Sequence, residues 1–546
     1  MKNLYFFAHI YHPWRIECST KTDRKGAIDM DNYTKNDTTA LRVQAMLCDK
    51  QEMSEVSAEV SLPDYRPEVK RLVRVSATVT PPARYVGAAN TELSGSVDFC
   101  ILYTGNDGAL YSTTHTSEYR IGIPTDLPSD ALLGEGLVCD ADILPEPCNA
   151  RVLAPRKLSV KCRLRAKMRI FGTRLIENGD LISGIAAEKL YGSSDVCELF
   201  SGVGEPLLLH DEIICDSQGE DLRVVCADGE VFISEAVAGS GCINCRGEVA
   251  LKLLCAHDAT GLPPSQLLRR IPFEGAATVD GCEVNCVASA FGTCTDVSVT
   301  VEDGRILCDL SVVLQGRAQR DRNLTYVRDA YALDTVSDSR TDFLTLAQSR
   351  SCVCANFSIG STLTAEEAGL KQGLHVVDAY LMPLTAELAQ EHAKDILSGR
   401  CRVHLTLSDD AGEISSQEVE IPYRYEAEAN QMPLADSLVH VSPISCRARA
   451  DGERLGIDGE LAVSIVTRTQ SKIQYLSACN MGDRCQKPTG ECTVCFPAPN
   501  DTLWSVAKKY HKPLSHLTGI NTLPPQAQAA AADSKASLAG VNYLLV

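Results

Sequence analysis

Three glycines, Gly95, Gly247 and Gly399, each open a β-rich segment, and they stand 152 residues apart both times. The segments are Gly95-Ser-Val-Asp-Phe-Cys-Ile-Leu-Tyr103, Gly247-Glu-Val-Ala-Leu-Lys-Leu-Leu-Cys255 and Gly399-Arg-Cys-Arg-Val-His-Leu-Thr-Leu407. Each runs into an Asp/Gly-rich turn: Gly105 to Gly108, His257 to Gly261 and Asp409 to Gly412. Asn, Asp and Gly tolerate positive φ, so such turns close hairpins. A second strand then ends at an aromatic residue, Tyr119, Phe273 or Tyr423. An interval this regular fixes the architecture before any residue-level detail does.

Around this hairpin each repeat carries further extended stretches. Leu72 to Val79, Leu222 to Cys226 and His375 to Leu381 precede the glycine strands. Leu158 to Ile170, Ile306 to Leu314 and Leu455 to Ile465 follow them with period-2 apolar patterning. Strict alternation with short polar turns marks antiparallel sheets with one buried face. About 150 residues per repeat is enough for an independent core and too long for a solenoid unit. The expected fold is mainly β: three antiparallel β-sandwich-like domains at 55–200, 201–350 and 351–478. A weakly structured segment at 1–54 precedes them. A linker at 479–491 and a small α+β module at 492–546 complete the 546 residues.

Composition narrows the setting. The formal charge is −19, against a role built on nucleic acid or an anionic membrane surface, both of which call for a basic face. No run of about 18 apolar residues occurs to span a membrane. The apolar run Leu4 to Ala8 is cut short by His9, His12, Pro13 and Arg15, with no small-residue cleavage site after it. The expectation is a protein kept in the cytoplasm. The 24 cysteines fit that setting as core thiols. Cys162 and Cys308 occupy apolar slots of alternating strands, where reduced Cys behaves as a small hydrophobe.

The last 50 or so residues read as β-α-α-β. Thr493 to Phe496 is a short strand, and Asp501 or Thr502 caps a helix through Leu503, Trp504 and Tyr510. A second short helix spans Leu514 to Thr518, and Tyr543 to Val546 closes the module. The string Asp501-Thr502-Leu503-Trp504-Ser505-Val506-Ala507-Lys508-Lys509-Tyr510, with Leu514, Leu517, Asn521 and the final strand, resembles a LysM domain. It departs at Asn500, where LysM has Gly, and in the Ala-rich stretch between Asn521 and Tyr543. Leu62-Pro63-Asp64-Tyr65-Arg66-Pro67-Glu68-Val69, followed by Arg74 to Val79, resembles the start of clostridial SPOCS domains. Three such domains ending in one LysM is similar to SipL-type spore coat morphogenetic proteins. The resemblance implies a mother-cell scaffold at the forespore surface whose LysM binds the coat basement-layer ATPase, with β-domains that assemble or recruit other coat proteins. The alternative is a LysM that binds the N-acetylglucosamine of peptidoglycan. On either reading the expected contact residues are Asp501, Thr502, Leu503, Trp504, Ile520 and Asn521. Trp504 has a second reading, as packing between its helix and the sheet.

Catalytic signatures are not among the motifs. The chain has no His-Glu-x-x-His, no phosphate loop and no Gly-x-Ser-x-Gly elbow. Acidic pairs such as Asp409-Asp410 read as solvated turns, and the eleven His are scattered. The expectation is a non-enzymatic protein with no catalytic residues, resident metal or cofactor. Cys242-Ile-Asn-Cys245 and Cys492-Thr-Val-Cys495, with Cys479 and Cys485 upstream of the latter, leave zinc binding or oxidative cross-linking as rival readings.

Overall fold

The computed structural model of the protein describes residues 40–127, 136–178, 180–182, 184–214, 222–257, 263–302, 304–371, 373–427, 432–451, 453–485, 493–498, 500–523, 538 and 540–546. The fold is mainly β, as expected. The first repeat holds β1 (Ala40–Ser61), β2 (Val69–Val79), β3 (Ala83–Val86), β4 (Asn90–Gly105), β5 (Leu110–Pro124), β6 (Val138–Pro145), β7 (Asn149–Ala154) and β8 (Lys157–Glu177). The second holds β9 (Ala187–Val203), β10 (Leu207–Ile214), β11 (Leu222–Ala238), β12 (Cys242–His257), β13 (Ser265–Thr278), β14 (Val287–Glu302) and β15 (Arg305–Ala332). The third holds β16 (Thr335–Thr364), β17 (His375–Glu391), β18 (Lys394–Ser408), β19 (Ile414–Ala427), β20 (Asp436–Asp451) and β21 (Arg454–Arg484). The C-terminal module follows as β22 (Val494–Cys495), α1 (Leu503–Tyr510), α2 (Leu514–Ile520) and β23 (Leu544–Leu545).

Each repeat is two antiparallel sheets. One is a meander centred on the glycine strand: β2-β4 with β3 and β5, β11-β12-β13, and β17-β18-β19. The other is centred on the long last strand: β8 with β1, β6 and β7; β15 with β9, β10 and β14; β21 with β16 and β20. The alternating faces meet between the sheets. Leu158, Val160, Cys162, Leu164, Ala166, Met168 and Ile170 of β8 are all buried in the first core, and Ile306, Cys308, Leu310, Val312 and Leu314 of β15 in the second. Cys401 and Cys446 take the same kind of slot in the third.

The repeated glycine has a packing cause. In register, Gly95 faces Tyr119, Gly247 faces Phe273 and Gly399 faces Tyr423. A Cβ on Gly95 would lie 2.6 Å from the Tyr119 hydroxyl, and one on Gly399 2.6 Å from that of Tyr423. The ring covers the bare glycine backbone, and its hydroxyl donates to a neighbouring carbonyl, Thr80 (2.9 Å) or Thr385 (2.6 Å). Phe273 does the covering without the hydroxyl.

Domain boundaries differ from those expected. Residues 40–54, assigned above to a weakly structured segment, lie in β1, which pairs with β8 along its whole length and buries Val43, Cys48, Val56 and Val60. The rest of that segment lies outside the described residues. The expected boundaries at 200/201 and 350/351 fall inside β9 and β16. These strands pair with β15 and β21, so the second and third repeats begin near Ala187 and Thr335. Of the expected linker, 479–484 complete β21 opposite β16, and 486–491 lie outside the described residues.

The three repeats close around an approximate threefold axis. Val73, Val225 and Val377, again 152 residues apart, share one buried cluster. Each sits at a register shift: between Leu72 and Arg74, Val224 and Cys226, Val376 and Asp378. A β-bulge re-aims the chain at its extra residue. The same bulge in three repeats turns three valines toward one point.

Candidate functional site

In the C-terminal module, the Thr502 hydroxyl accepts from the Ser505 amide (3.1 Å) and the Ser505 hydroxyl accepts from the Thr502 amide (2.9 Å), a reciprocal cap on α1. Asp501 does not cap; its carboxylate accepts the Ala498 amide at 2.8 Å. At the other end His511 adopts φ 52°, the left-handed conformation that ends helices. Leu503, Val506, Ala507 and Leu517 pack with Cys495 and Leu544 of the two-stranded sheet. Asn521 closes the module: its amide donates to the Leu517 carbonyl (2.9 Å) and the Leu545 carbonyl (2.8 Å) and its side-chain oxygen accepts from the Leu545 amide (2.7 Å).

Trp504 is 5% exposed and faces the second repeat rather than solvent. Its ring meets Tyr331 edge-on, with centroids 5.0 Å apart. Its indole N–H donates to Asp329 at 2.8 Å, and Lys508 bonds the same carboxylate at 2.7 Å. The Tyr331 hydroxyl donates to the Lys512 carbonyl at 2.8 Å. Asp329 follows a register shift between Val327 and Asp329 in β15, so another bulge aims it at the module. An indole N–H and an ammonium on one carboxylate make a charge-assisted latch.

Of the six expected contact residues, Leu503 and Trp504 are therefore buried, and Thr502 and Asn521 spend their polar groups on the module itself. Ile520 is exposed. Residues that the sequence reading did not single out form a different surface. Cys495 and Leu544 point inward, so alternation sends Val494, Phe496, Tyr543 and Leu545 to the other face. Phe496 is 77% and Tyr543 58% exposed. Period-2 reading of both short strands would have found them. Asp329 and Tyr331 carried no local signal, since their partner lies about 175 residues away in sequence.

A second concentration of polar groups lies on the threefold axis. The Arg74 guanidinium donates to Asp378 and to Asp228, both at 2.9 Å, and to the Cys226 sulfur at 3.2 Å. Lys252 lies 3.4 Å from Asp378 and 3.5 Å from Asp228. Both cations stack on the Tyr380 ring, at 4.6 and 5.2 Å from its centroid. These are equivalent positions again: 74, 226 and 378; 76, 228 and 380; 100, 252 and 404. Burial alone would raise the Asp228 pKa, but Arg74 and Lys252 outweigh it and hold the carboxyl below its usual range. Burial, with Arg74 beside it, pushes His404 down to about 4. Further pairs tie the repeats together: Arg317 to Asp140 (2.8 Å), Arg169 to Asp436 (2.8 Å) and His440 to Asp142 (2.8 Å).

The thiols of the Cys242-Ile-Asn-Cys245 motif do not converge. Cys242 and Cys245 lie three apart on β12, so they point to opposite faces; Cys245 is buried and its thiol is pushed up to about 12. Burial likewise pushes Cys197, Cys294, Cys401 and Cys446 up to about 12, which keeps them protonated and unreactive. Of the rival zinc set, Cys492 lies outside the described residues. Among the described residues no group of three or more His, Cys, Asp or Glu could hold a metal ion, and no helix is long and apolar enough to cross a membrane. In comparison with known proteins, no family model, curated protein or solved structure matches this chain.

Proposed function

We propose that the chain is a non-enzymatic assembly scaffold of the spore coat, acting in the mother-cell cytoplasm at the forespore surface. Its C-terminal module docks onto the coat basement-layer ATPase, as the resemblance to SipL-type proteins implies, and its β repeats hold other coat proteins. The observation that carries this reading is the division of labour within the module. One face is latched to the second repeat through Trp504, Lys508 and Asp329, while the other presents the exposed aromatics Phe496 and Tyr543. Aromatic residues are the commonest anchors of protein interfaces. A module fixed to a large body loses little orientational freedom on docking, which favours affinity.

The docking surface on this reading is the outer sheet face, not the Trp504 surface. Co-elution of the purified full chain with the purified coat basement-layer ATPase on size-exclusion chromatography tests it. A shared peak supports the scaffold reading. Separate elution at micromolar concentration of both proteins, combined with saturable heat on titration with chito-oligosaccharides, would replace it with glycan binding.

A further inference from the structure

Two residues farther along the three equivalent strands, the polar cluster gives way to a cavity. Thr78 of β2, Glu230 of β11 and Met382 of β17 are equivalent positions 152 residues apart, and all three line it. So do Tyr380, Thr293 of β14 and Arg165 of β8. The cavity therefore draws on all three repeats and exists only in the assembled body. Its volume is about 170 Å³. A cavity of roughly 150 Å³ accommodates benzene, so one small organic molecule fits. Thr385 and Ala386, at one end of the lining, are exposed and give a mouth.

An acid and a base face this space without a charged partner. Asp142 is matched by His440, and Asp228 and Asp378 by Arg74 and Lys252. The Glu230 carboxyl has no hydrogen bond or ion pair among the described residues, and neither does the Tyr380 hydroxyl. Burial, with Asp228 adding to it, pushes the Glu230 carboxyl up to about 8, and Lys252 opposes this only in part. Arg165 has no carboxylate partner among the described residues; its guanidinium donates to the Leu384 carbonyl at 3.0 Å, beside the mouth. Glu230 and Arg165 form no ion pair with each other. A half-buried acid without a counter-charge is costly to ionise, and such groups concentrate where a ligand supplies the missing charge.

We propose that the axial cavity binds a small free amino acid, its ammonium on Glu230 and the Tyr380 hydroxyl and its carboxylate on Arg165 at the mouth. This goes beyond the scaffold reading and does not depend on it. A zwitterion answers both groups at once, its ammonium favouring ionised Glu230 and its carboxylate pairing with Arg165, whereas a simple amine or acid answers one. Because the ligand would touch all three repeats, binding stabilises their closure and raises the melting temperature of the whole body.

Calorimetric titration of the full chain with glycine, γ-aminobutyrate and L-leucine tests this, with butylamine and butyrate as single-charge probes. The proposal expects saturable binding of at least one amino acid, at least tenfold tighter than either single-charge probe, and a rise in the melting temperature with the same ligand. Glu230→Gln and Arg165→Met should each weaken that binding at least tenfold. Both side chains face the cavity rather than the core, and Glu230→Gln removes an unmatched half-buried acid, so the fold is retained; circular dichroism of each variant checks it. Absence of saturable binding and of any melting shift in the wild type overturns the proposal. Binding that folded Glu230→Gln leaves unchanged, or butylamine as tight as the best amino acid, overturns it as well.

Discussion

His404 carries the clearest pH signature of any single side chain. It occupies the same repeat position as Cys100 and Lys252, packed beside Arg74 and Asp378, and its Nδ1 is buried without a hydrogen bond. Its folded pKa of about 4 lies below the ordinary value of about 6.5. Between those values the unfolded chain binds a proton that the folded chain refuses, so stability falls as pH drops from about 6.5 to 4. His404→Asn should flatten that loss by about 1–3 kcal/mol relative to wild type, read as the difference in urea midpoints at pH 7 and pH 4.5. Glu230 acts in the opposite sense, because its raised pKa makes the folded chain the better proton acceptor between 4.5 and about 8. An equal acid loss in both proteins contradicts the account of His404. Sequence showed none of this: Arg74, Cys226 and Asp378 share a repeat position but no chemistry, so only the 152-residue interval links them.

At the scale of elements, bulges and long strands decide what alternation could not. Period-2 patterning marked β8 and the first half of β15, where one face is wholly apolar. It passed over β1, β9 and β16. Their outward faces carry Ser, Thr, Asp and Glu, and they are held by pairing to a neighbour rather than by a continuous apolar stripe. The bulge before Asp329 is equally silent in sequence, yet it aims the carboxylate that latches the module. Asp329→Ala leaves the Trp504 N–H and the Lys508 ammonium without that acceptor, a loss of about 1–3 kcal/mol. The module should then loosen from β15, with a red shift of Trp504 fluorescence and faster amide exchange in α1, while exchange in β4, β12 and β18 stays slow. Unchanged fluorescence and exchange in α1 contradict the latch. The module's β-α-α-β order was legible because its caps and helix-length apolar spacing are local; its orientation was not, because Tyr331 and Asp329 lie in another domain.

For the whole molecule, three repeats make one body rather than beads on a string. Charged pairs from different repeats meet on the axis, so breaking one strains all three. Arg74→Met leaves Asp228 and Asp378 with only Lys252 as a counter-charge, and removing one partner of a buried ion pair costs about 3–5 kcal/mol. Amides of β4, β12 and β18 should lose protection together in that variant. Loss confined to β2–β8 contradicts the single body. That body gives the C-terminal module a fixed platform, and the docking claim rests on which face the platform leaves open. The most direct measurement is the dissociation constant of the full chain for the purified coat basement-layer ATPase, comparing wild type, Phe496→Ser with Tyr543→Ser, and Trp504→Phe. The account predicts that the double variant binds at least tenfold more weakly. Trp504→Phe, which keeps an aromatic ring against Tyr331 and loses only the bond to Asp329, should bind within about twofold of wild type. Undiminished binding by the double variant would contradict it.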